Sequence, residues 1–462
     1  MQASQLDGKA QHDPHSQPLS IAVVGSGITG LAAAWLLSRR HRITLYESEE
    51  RLGGHANTVD VLLGGKRVAV DTGFIVYNEQ NYPNLTALFA HLGVATSPSD
   101  MSFAVSLGEG AMEYSSNDLL SFLGNGRNLF NRRFWQMSAD LVRFYRQAGR
   151  EIELLRSAEH LTLGDYLDRN GYSHAFQFDH LLPEAAAIWS SSVKHMRDYP
   201  ACAFVRFFDN HGLLKLRNRP RWRTVAGGSR TYVAAIAADF AGEVRTGCRV
   251  AAVRSMADGV EIATAAGRRH CHDRVLIAGH SDQALAMLAE PDPEVRSVLS
   301  AIGFRRNRAV LHTDRALMPR RRRTWSSWNY VGHGGASEGC AVTYWMNRLQ
   351  GLETSRPLFV TLNPDREPDP DSVLWDGSYD HPMFTPEALS AQRRLWPLQG
   401  RGNVWFAGAW LGAGFHEDGL QAGLAVAEQI GGLRRPWRVP NQSSRLHLPG
   451  PADPRLLLAE AA

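Results

Sequence analysis

The stretch LSIAVVGSGITGLAAAWLLSRR, Leu19–Arg40, followed past His41 by RITLYE, Arg42–Glu47, decides the fold. Leu19–Val24 is a short apolar run with the pattern of a buried strand. Gly25-Ser26-Gly27-Ile28-Thr29-Gly30 interrupts it, and Leu31–Arg40 continues as an alanine- and leucine-rich helix. Arg42–Glu47 reads as a second strand, ending on an acid roughly twenty residues beyond the glycines. In such a unit Gly25 permits the tight turn, Gly27 lets a pyrophosphate approach the backbone, and Gly30 lets helix and strand touch. The helix opening at Ile28 and Thr29 offers free N–H groups and a partial positive charge to the phosphates. Glu47 is placed to accept hydrogen bonds from the ribose hydroxyls of an adenosine, and its charge disfavours a ribose phosphate, and with it NADP. Strand, turn, helix and terminal acid together make a dinucleotide-binding unit, without separating NAD from FAD.

The residues downstream make that separation. Arg51-Leu52-Gly53-Gly54-His55 follows the second strand, a hairpin turns at Gly64-Gly65, and Asp71-Thr72-Gly73-Phe74 closes it. Gly227-Gly228 leads into a helical run to Phe240, short strands continue to His280, and NVWFAGAW with GLQAGLAVAEQI supplies a last strand and helix. The set resembles the flavoprotein superfamily that contains the amine oxidases and phytoene-desaturase-type enzymes, over most of residues 20–433. That resemblance implies FAD as cofactor. Arg51, Gly53, Gly54 and His55 would run along its diphosphate, and Thr72, Gly73 and Phe74 would turn near the flavin. Strand Thr246–Val253 would read the adenine, with Val250 in contact. Gly408 would sit by the flavin, and the helix starting near Asp418, Gly419 and Leu420 would point its amides at the isoalloxazine edge that gains charge on reduction. No cysteine lies between 398 and 415 to form a thioether, so the FAD is expected to be non-covalent. More narrowly, AIWSSSVKHM, FFDNHGLLKLRNRPRWRTVAGGSR, YWMNRLQ and HPMFTPEALSAQRRLWPLQG look like a bacterial branch of predicted NAD/FAD-binding oxidoreductases. Genes of that branch often lie beside those of cyclopropane-fatty-acyl-phospholipid synthases, which points to phospholipid acyl chains.

With 462 residues the chain exceeds a single compact core, and two domains are expected. The fold class is α/β: a glutathione-reductase-like FAD-binding Rossmann domain from residues 20–80, 225–290 and 398–433, with an inserted mixed α+β substrate domain from 81–224 and 291–397. Residues 81–223 read as mainly helical, and 1–19 and 434–462 as flexible tails. A net charge of +4 is too weak to argue for nucleic acid, although it permits an acidic surface as partner. The four cysteines (202, 248, 271 and 340) are scattered without CxxC spacing, which suits a reducing cytosol and offers no metal site. The polar first nineteen residues do not read as a signal peptide, and no apolar run approaches the length of a membrane span. The expectation is a cytoplasmic protein, peripheral to the inner membrane face at most.

Several features depart from the amine oxidase pattern. Those enzymes bridge a water to the flavin with a lysine in the substrate half of the sheet, but Lys9, Lys66, Lys194 and Lys215 are the only lysines here. The closing loop reads Gly414-Phe415-His416-Glu417-Asp418-Gly419, with Phe where the family's aromatic cage has Tyr; His55 replaces an Arg, and Ala409 an acid. A simple amine is therefore disfavoured as substrate.

Four polar residues are catalytic candidates. His416 suits a base, a donor to the flavin edge or a structural hydrogen-bonder. Tyr344–Arg348 alternates like a strand, placing Arg348 on one face and Asn347 on the other, either in a pocket or in the core. His211 belongs to a turn or to the pocket, and Trp189 reads as core. Arg320–Arg323 with Trp325 and Trp328, and the stretch Arg127–Arg150, suit either solvated loops or contact with an anionic membrane. The leading expectation is FAD-dependent oxidation or desaturation of a lipid acyl chain, or of another apolar substrate, by hydride transfer to flavin. The alternatives are a small-molecule amine oxidase and a non-catalytic flavoprotein partner of a lipid-modifying methyltransferase. Oligomeric state is left open.

Overall fold

A computed structural model describes residues 17–448, apart from 125, 159, 216–218 and 335–340; Cys340 and the outer parts of both expected tails lie outside the described residues. The first strand, Ser20–Val24, lies at the centre of a five-stranded parallel sheet in the order Glu243–Arg245, Arg42–Tyr46, Ser20–Val24, Arg274–Ile277, Val404–Phe406. Three separated stretches of sequence thus build one sheet. The helix Ile28–Leu37 buries all ten of its residues and has no polar face, so it must be covered on both sides. The sheet covers one side, and the closing helix His416–Gly431 covers another.

The hairpin Thr58–Leu63/Lys66–Asp71 turns at Gly64-Gly65 as read from sequence. Its last residue, Asp71, is fully buried and accepts hydrogen bonds from the Ser229 amide (2.9 Å) and hydroxyl (2.8 Å) and from the Thr58 hydroxyl (2.6 Å). These bonds pin the Gly227-Gly228 turn and its helix, Arg230–Asp239, to the hairpin.

The second layer is a seven-stranded sheet in the order Val373–Pro382, Phe304–His312, Phe359–Leu362, Val342–Trp345, Trp328–Gly332, Phe103–Leu107, Met112–Ser115. Residues 81–223 are mainly helical, as read from sequence, and also supply this sheet's last two strands and the strand Thr96–Ser99. Met112–Ser115 is buried along its whole length and includes Glu113, which is paired with Arg321, so the alternation that marks a strand is absent. A helical body, including Arg132–Gln147, Leu182–Trp189 and Ala201–Asn210, packs against this sheet.

Two expectations are overturned. The strand at Tyr344 ends at Trp345, and Met346–Gln350 is a helix capped by Gly351 in the left-handed region (φ 64°). Five alternating residues were too few to fix a period. Residues 434–448 are also packed rather than loose. The Arg435 side chain, 1% exposed, bonds Glu428 (2.8 Å), Asn84 (2.9 Å) and the Gln442 carbonyl (2.9 Å). Arg445 pairs with Asp418 at 3.1 Å. No helix among the described residues is long and apolar enough to cross a membrane.

Removing Arg435 leaves the Glu428 carboxylate buried without its main partner, a loss of about 3–5 kcal/mol for such pairs. Arg435→Ala is therefore expected to lower the thermal midpoint by several degrees, and an unchanged midpoint would show that residues 434–448 do not hold the fold.

Candidate active site

The glycine turn ends in an open cradle. A Cβ placed on Gly27 meets no heavy atom within 4 Å, whereas one on Gly30 strikes the Gly25 carbonyl at 1.9 Å. The helix beginning at Ile28 has no side-chain cap and no acid in its first turn, so its leading N–H groups are free for an anion. From this cradle a cavity of about 450 Å³ extends past Glu47 at one end and into the helical body at the other.

Gly25, Gly27, Ile28, Thr29 and Glu47 line the cavity, followed by Gly53, Gly54, His55, Thr72, Gly73, Phe74 and Gly408. Glu47 accepts from the Ser26 amide (2.9 Å) and hydroxyl (2.5 Å) through one oxygen, and from the Glu49 amide (2.9 Å) and Ser48 hydroxyl (3.1 Å) through the other. The two serine hydroxyls occupy the lone pairs that ribose hydroxyls would take. Other expected contacts stand behind the wall. Arg51 donates to the Gly54 carbonyl at 2.9 Å and pairs with Glu49, so it shapes the Gly-Gly turn rather than facing the cavity. Gly30 and Gly419 are packing positions; Asp418 accepts from the Phe415 amide at 2.7 Å, and Leu420 is fully buried. Val250, expected to read the adenine, is buried at the start of the edge strand Val250–Met256 of the three-stranded meander and is not part of the lining.

Of the four catalytic candidates, two reach the cavity. His416 stacks on Phe74 with ring centroids 3.8 Å apart, and its Nε2 lies 2.7 Å from the Tyr232 hydroxyl. Burial lowers its pKa to about 3, so it is a neutral hydrogen-bonding ring. His211 directs Nδ1–H to the Phe207 carbonyl at 2.9 Å, which leaves Nε2 as a buried acceptor without a partner. Burial lowers its pKa to about 3 as well.

Asn347 and Arg348 lie elsewhere. Asn347 ties together Leu352, Thr354 and Leu358, and Arg348 pairs with Asp100 at 3.1 Å. Both are structural, because the helix that replaces the expected strand turns them away from the lining.

The structure adds residues that the sequence did not single out. His280 and His381 join His55 on the wall, with His55–His381 centroids 5.4 Å apart and His55–His280 6.2 Å. Burial, reinforced by their mutual repulsion, keeps His55 well below its ordinary pKa and His381 at about 4. Beyond Phe415 the lining becomes aromatic and aliphatic, with Trp189, Phe207, Trp222, Trp328, Tyr344 and Phe384. Trp189, read from sequence as core, is therefore both buried and part of the wall. Phe415 stacks on Phe207 at 4.9 Å and forms one side of this chamber. Glu184 also lines the cavity, from the helix Leu182–Trp189 directly after a π-helical turn, Gln177–Leu181. Its carboxylate lies 3.6 Å from His180, and burial raises its pKa to about 7. The one sequence signal for it was a lone acid in the run LLPEAAAIW.

The family model for flavin containing amine oxidoreductase matches residues 28–348. The chain belongs to that family. A carotenoid phi-ring synthase of Streptomyces griseus is 45% identical over 71 residues, which span 15% of this chain and 14% of the synthase. Among solved structures, putrescine oxidase bound to putrescine superposes with a TM-score of 0.65 at 14% identity, covering 89% of this chain and 99% of that one. A CLA-producing fatty acid isomerase from P. acnes superposes with a TM-score of 0.62 at 15% identity, covering 90% and 98%. At such identities the likeness is one of fold. The flavoprotein family fixes the cofactor as FAD and the class as oxidoreductase. The open cradle, uncapped helix and Glu47 fit its diphosphate and ribose.

Gly27→Val should give a folded protein without FAD, because its side chain enters the empty cradle. Gly30→Val should fail to fold, because its side chain enters the backbone of the turn. Circular dichroism and the flavin absorbance of each variant check this, and stoichiometric FAD in folded Gly27→Val would remove the phosphate loop from Gly25–Gly30. The flavin of the wild type should leave the protein on acid precipitation, and yellow colour retained in the pellet would contradict a non-covalent cofactor.

Proposed function

We infer that this flavoenzyme oxidises or desaturates an acyl chain. The observation that carries this reading is the chamber: aromatic and aliphatic side chains continue directly from the dinucleotide cleft, and among the described residues no lysine lines it. Bound FAD supplies the two-electron oxidation. The protein's part is to bind the chain by apolar burial, to align one C–H bond and to exclude water. Phe415 with Phe207 and Trp189 gives a dry wall, and the neutral rings of His416 and His211 add no charge to it. The fold shared with a fatty acid isomerase, and the sequence likeness to a branch encoded beside acyl-modifying enzymes, support the same substrate class.

One observation favours a second reading, oxidation of an amine. Glu184 puts a carboxyl on the chamber wall, and the fold is shared with putrescine oxidase. A carboxylate there could hold an ammonium, at the cost of desolvating two charges. Burial instead raises the Glu184 pKa to about 7, which favours its protonated, uncharged form. An apolar ligand, by removing the remaining water, favours the protonated form further.

The two readings give opposite results in an anaerobic titration followed by flavin bleaching. Acyl lipids should bleach the flavin and putrescine should not; bleaching by putrescine alone would overturn the acyl reading. In a series of saturated alcohols, each pair of methylenes removed should weaken binding roughly tenfold, at about 0.8 kcal/mol per buried methylene. Affinity for an uncharged chain should fall as pH rises through about 7, where Glu184 ionises, and Glu184→Gln should flatten that profile. Affinity for an alkylamine that instead rises across the same range would favour the amine reading.

A further inference from the structure

Two arginine-rich segments, roughly two hundred positions apart in the chain, meet on one surface. The buried Glu113 joins them. Its carboxylate accepts from the Arg320 amide (2.7 Å), the Arg321 amide (3.2 Å) and the Arg321 guanidinium (2.8 Å), while its backbone carbonyl accepts from the Asn128 side chain (2.9 Å). Asn117 donates to the Trp325 carbonyl at 3.1 Å, and the helix Leu119–Leu123 lies against the turn Arg322–Thr324.

The junction carries apolar side chains turned to solvent. Phe130 is 91% exposed and Leu119 73%, with Leu120, Leu129 and Trp135 also exposed. Trp135 is held by its indole N–H on the Leu129 carbonyl (2.9 Å), and beneath it Phe134 packs on Phe122 with centroids 5.3 Å apart. The apolar tips thus stand on an ordered base.

The surrounding charge is predominantly positive. Arg320 is committed to Glu109, Arg321 to Glu113 and Arg133 to Asp179. Exposed Arg127, Arg132, Arg322 and Arg323 make no ion pair within 4 Å among the described residues, and Asp118 is the one acid in the segment Asn117–Trp135. Leu, Phe and Trp tips amid unpaired arginines match an anionic bilayer, with apolar groups entering the acyl boundary and guanidinium groups on phosphates.

We propose that this surface, carrying Leu119, Leu120, Phe130, Trp135, Arg322 and Arg323, docks the protein on an anionic phospholipid membrane. The surface adjoins the chamber. Ser116, just before the segment, donates its amide to the carbonyl of Phe103, and Phe103 and Trp328, neighbours in register, both line the cavity. Docking goes beyond the substrate reading and stands whichever substrate is oxidised, because it is measured without turnover.

The test is co-sedimentation of FAD-loaded full-length protein with phosphatidylglycerol–phosphatidylcholine vesicles and with pure phosphatidylcholine vesicles. Retention should be at least tenfold greater on the anionic vesicles at low salt and should fall as salt rises. Arg322→Gln/Arg323→Gln should weaken it on the order of 30-fold, about fivefold per arginine. Leu119→Glu/Phe130→Glu should abolish it. All variants should keep wild-type FAD content and melting temperature, since these side chains are exposed. Three outcomes overturn the proposal: no retention of the wild type at low salt, equal retention on neutral vesicles, or self-association of the wild type that the same variants remove, which would assign the surface to a second copy.

Discussion

The contact between the backbone at Thr29 and Gly423 is the constraint on which the rest of the molecule depends. A Cβ on Gly423 would meet the Thr29 carbonyl at 2.2 Å, and one on Gly419 would meet the Thr29 hydroxyl at 2.7 Å. Only glycines at these two positions, one helical turn apart, let the closing helix lie directly on the opening one. That approach seals the all-apolar helix Ile28–Leu37, and it joins residues almost four hundred positions apart. It also shapes the cavity, because the segment before the closing helix, Gly408 to His416, is thereby carried onto the space that starts at Gly27. The cradle and the chamber are one space because the two ends of the sheet domain cannot be separated.

Inside that space burial disfavours charge on the wall's histidines and on Glu184. The histidines at 55, 211, 381 and 416 are all held below their ordinary range, chiefly by desolvation, and Glu184 is held above its own. A site with that electrostatic character suits an uncharged reacting chain better than a free ion. The charges of this chain lie elsewhere: in buried pairs that close the fold, such as Arg435–Glu428 and Arg321–Glu113, and in arginines at the surface.

The parts of this account that were legible in the sequence are those dictated by backbone geometry. Gly25, Gly27 and Gly30 with Glu47 determine a phosphate cradle because no other residues leave room for it, and the cavity wall follows them nearly residue by residue. What was not legible depended on contacts between distant segments. Met112–Ser115 escaped notice as a strand because its buried acid is neutralised by Arg321, far along the chain. Tyr344–Arg348 had the alternation of a strand, yet its second half is a helix whose Asn347 side chain bonds Leu352 and Leu358 beyond the five residues that showed the alternation. Residues 434–448 had the composition of a loose tail, but the buried Arg435 and the partly buried Arg445 find carboxylates on the closing helix. His280 and His381 carry no local signal, and Glu184 only that of a lone acid in an apolar run, since only the assembled fold brings them to one cavity.

The most direct measurement of the central claim is mass spectrometry of what the purified holoprotein retains. The protein would be exchanged into volatile buffer, denatured in organic solvent, and the released small molecules identified beside FAD. On the acyl-chain proposal, the holoprotein should release acyl lipid in near-stoichiometric amount with the cofactor. Release of FAD with a short polar amine, and no lipid, would contradict it.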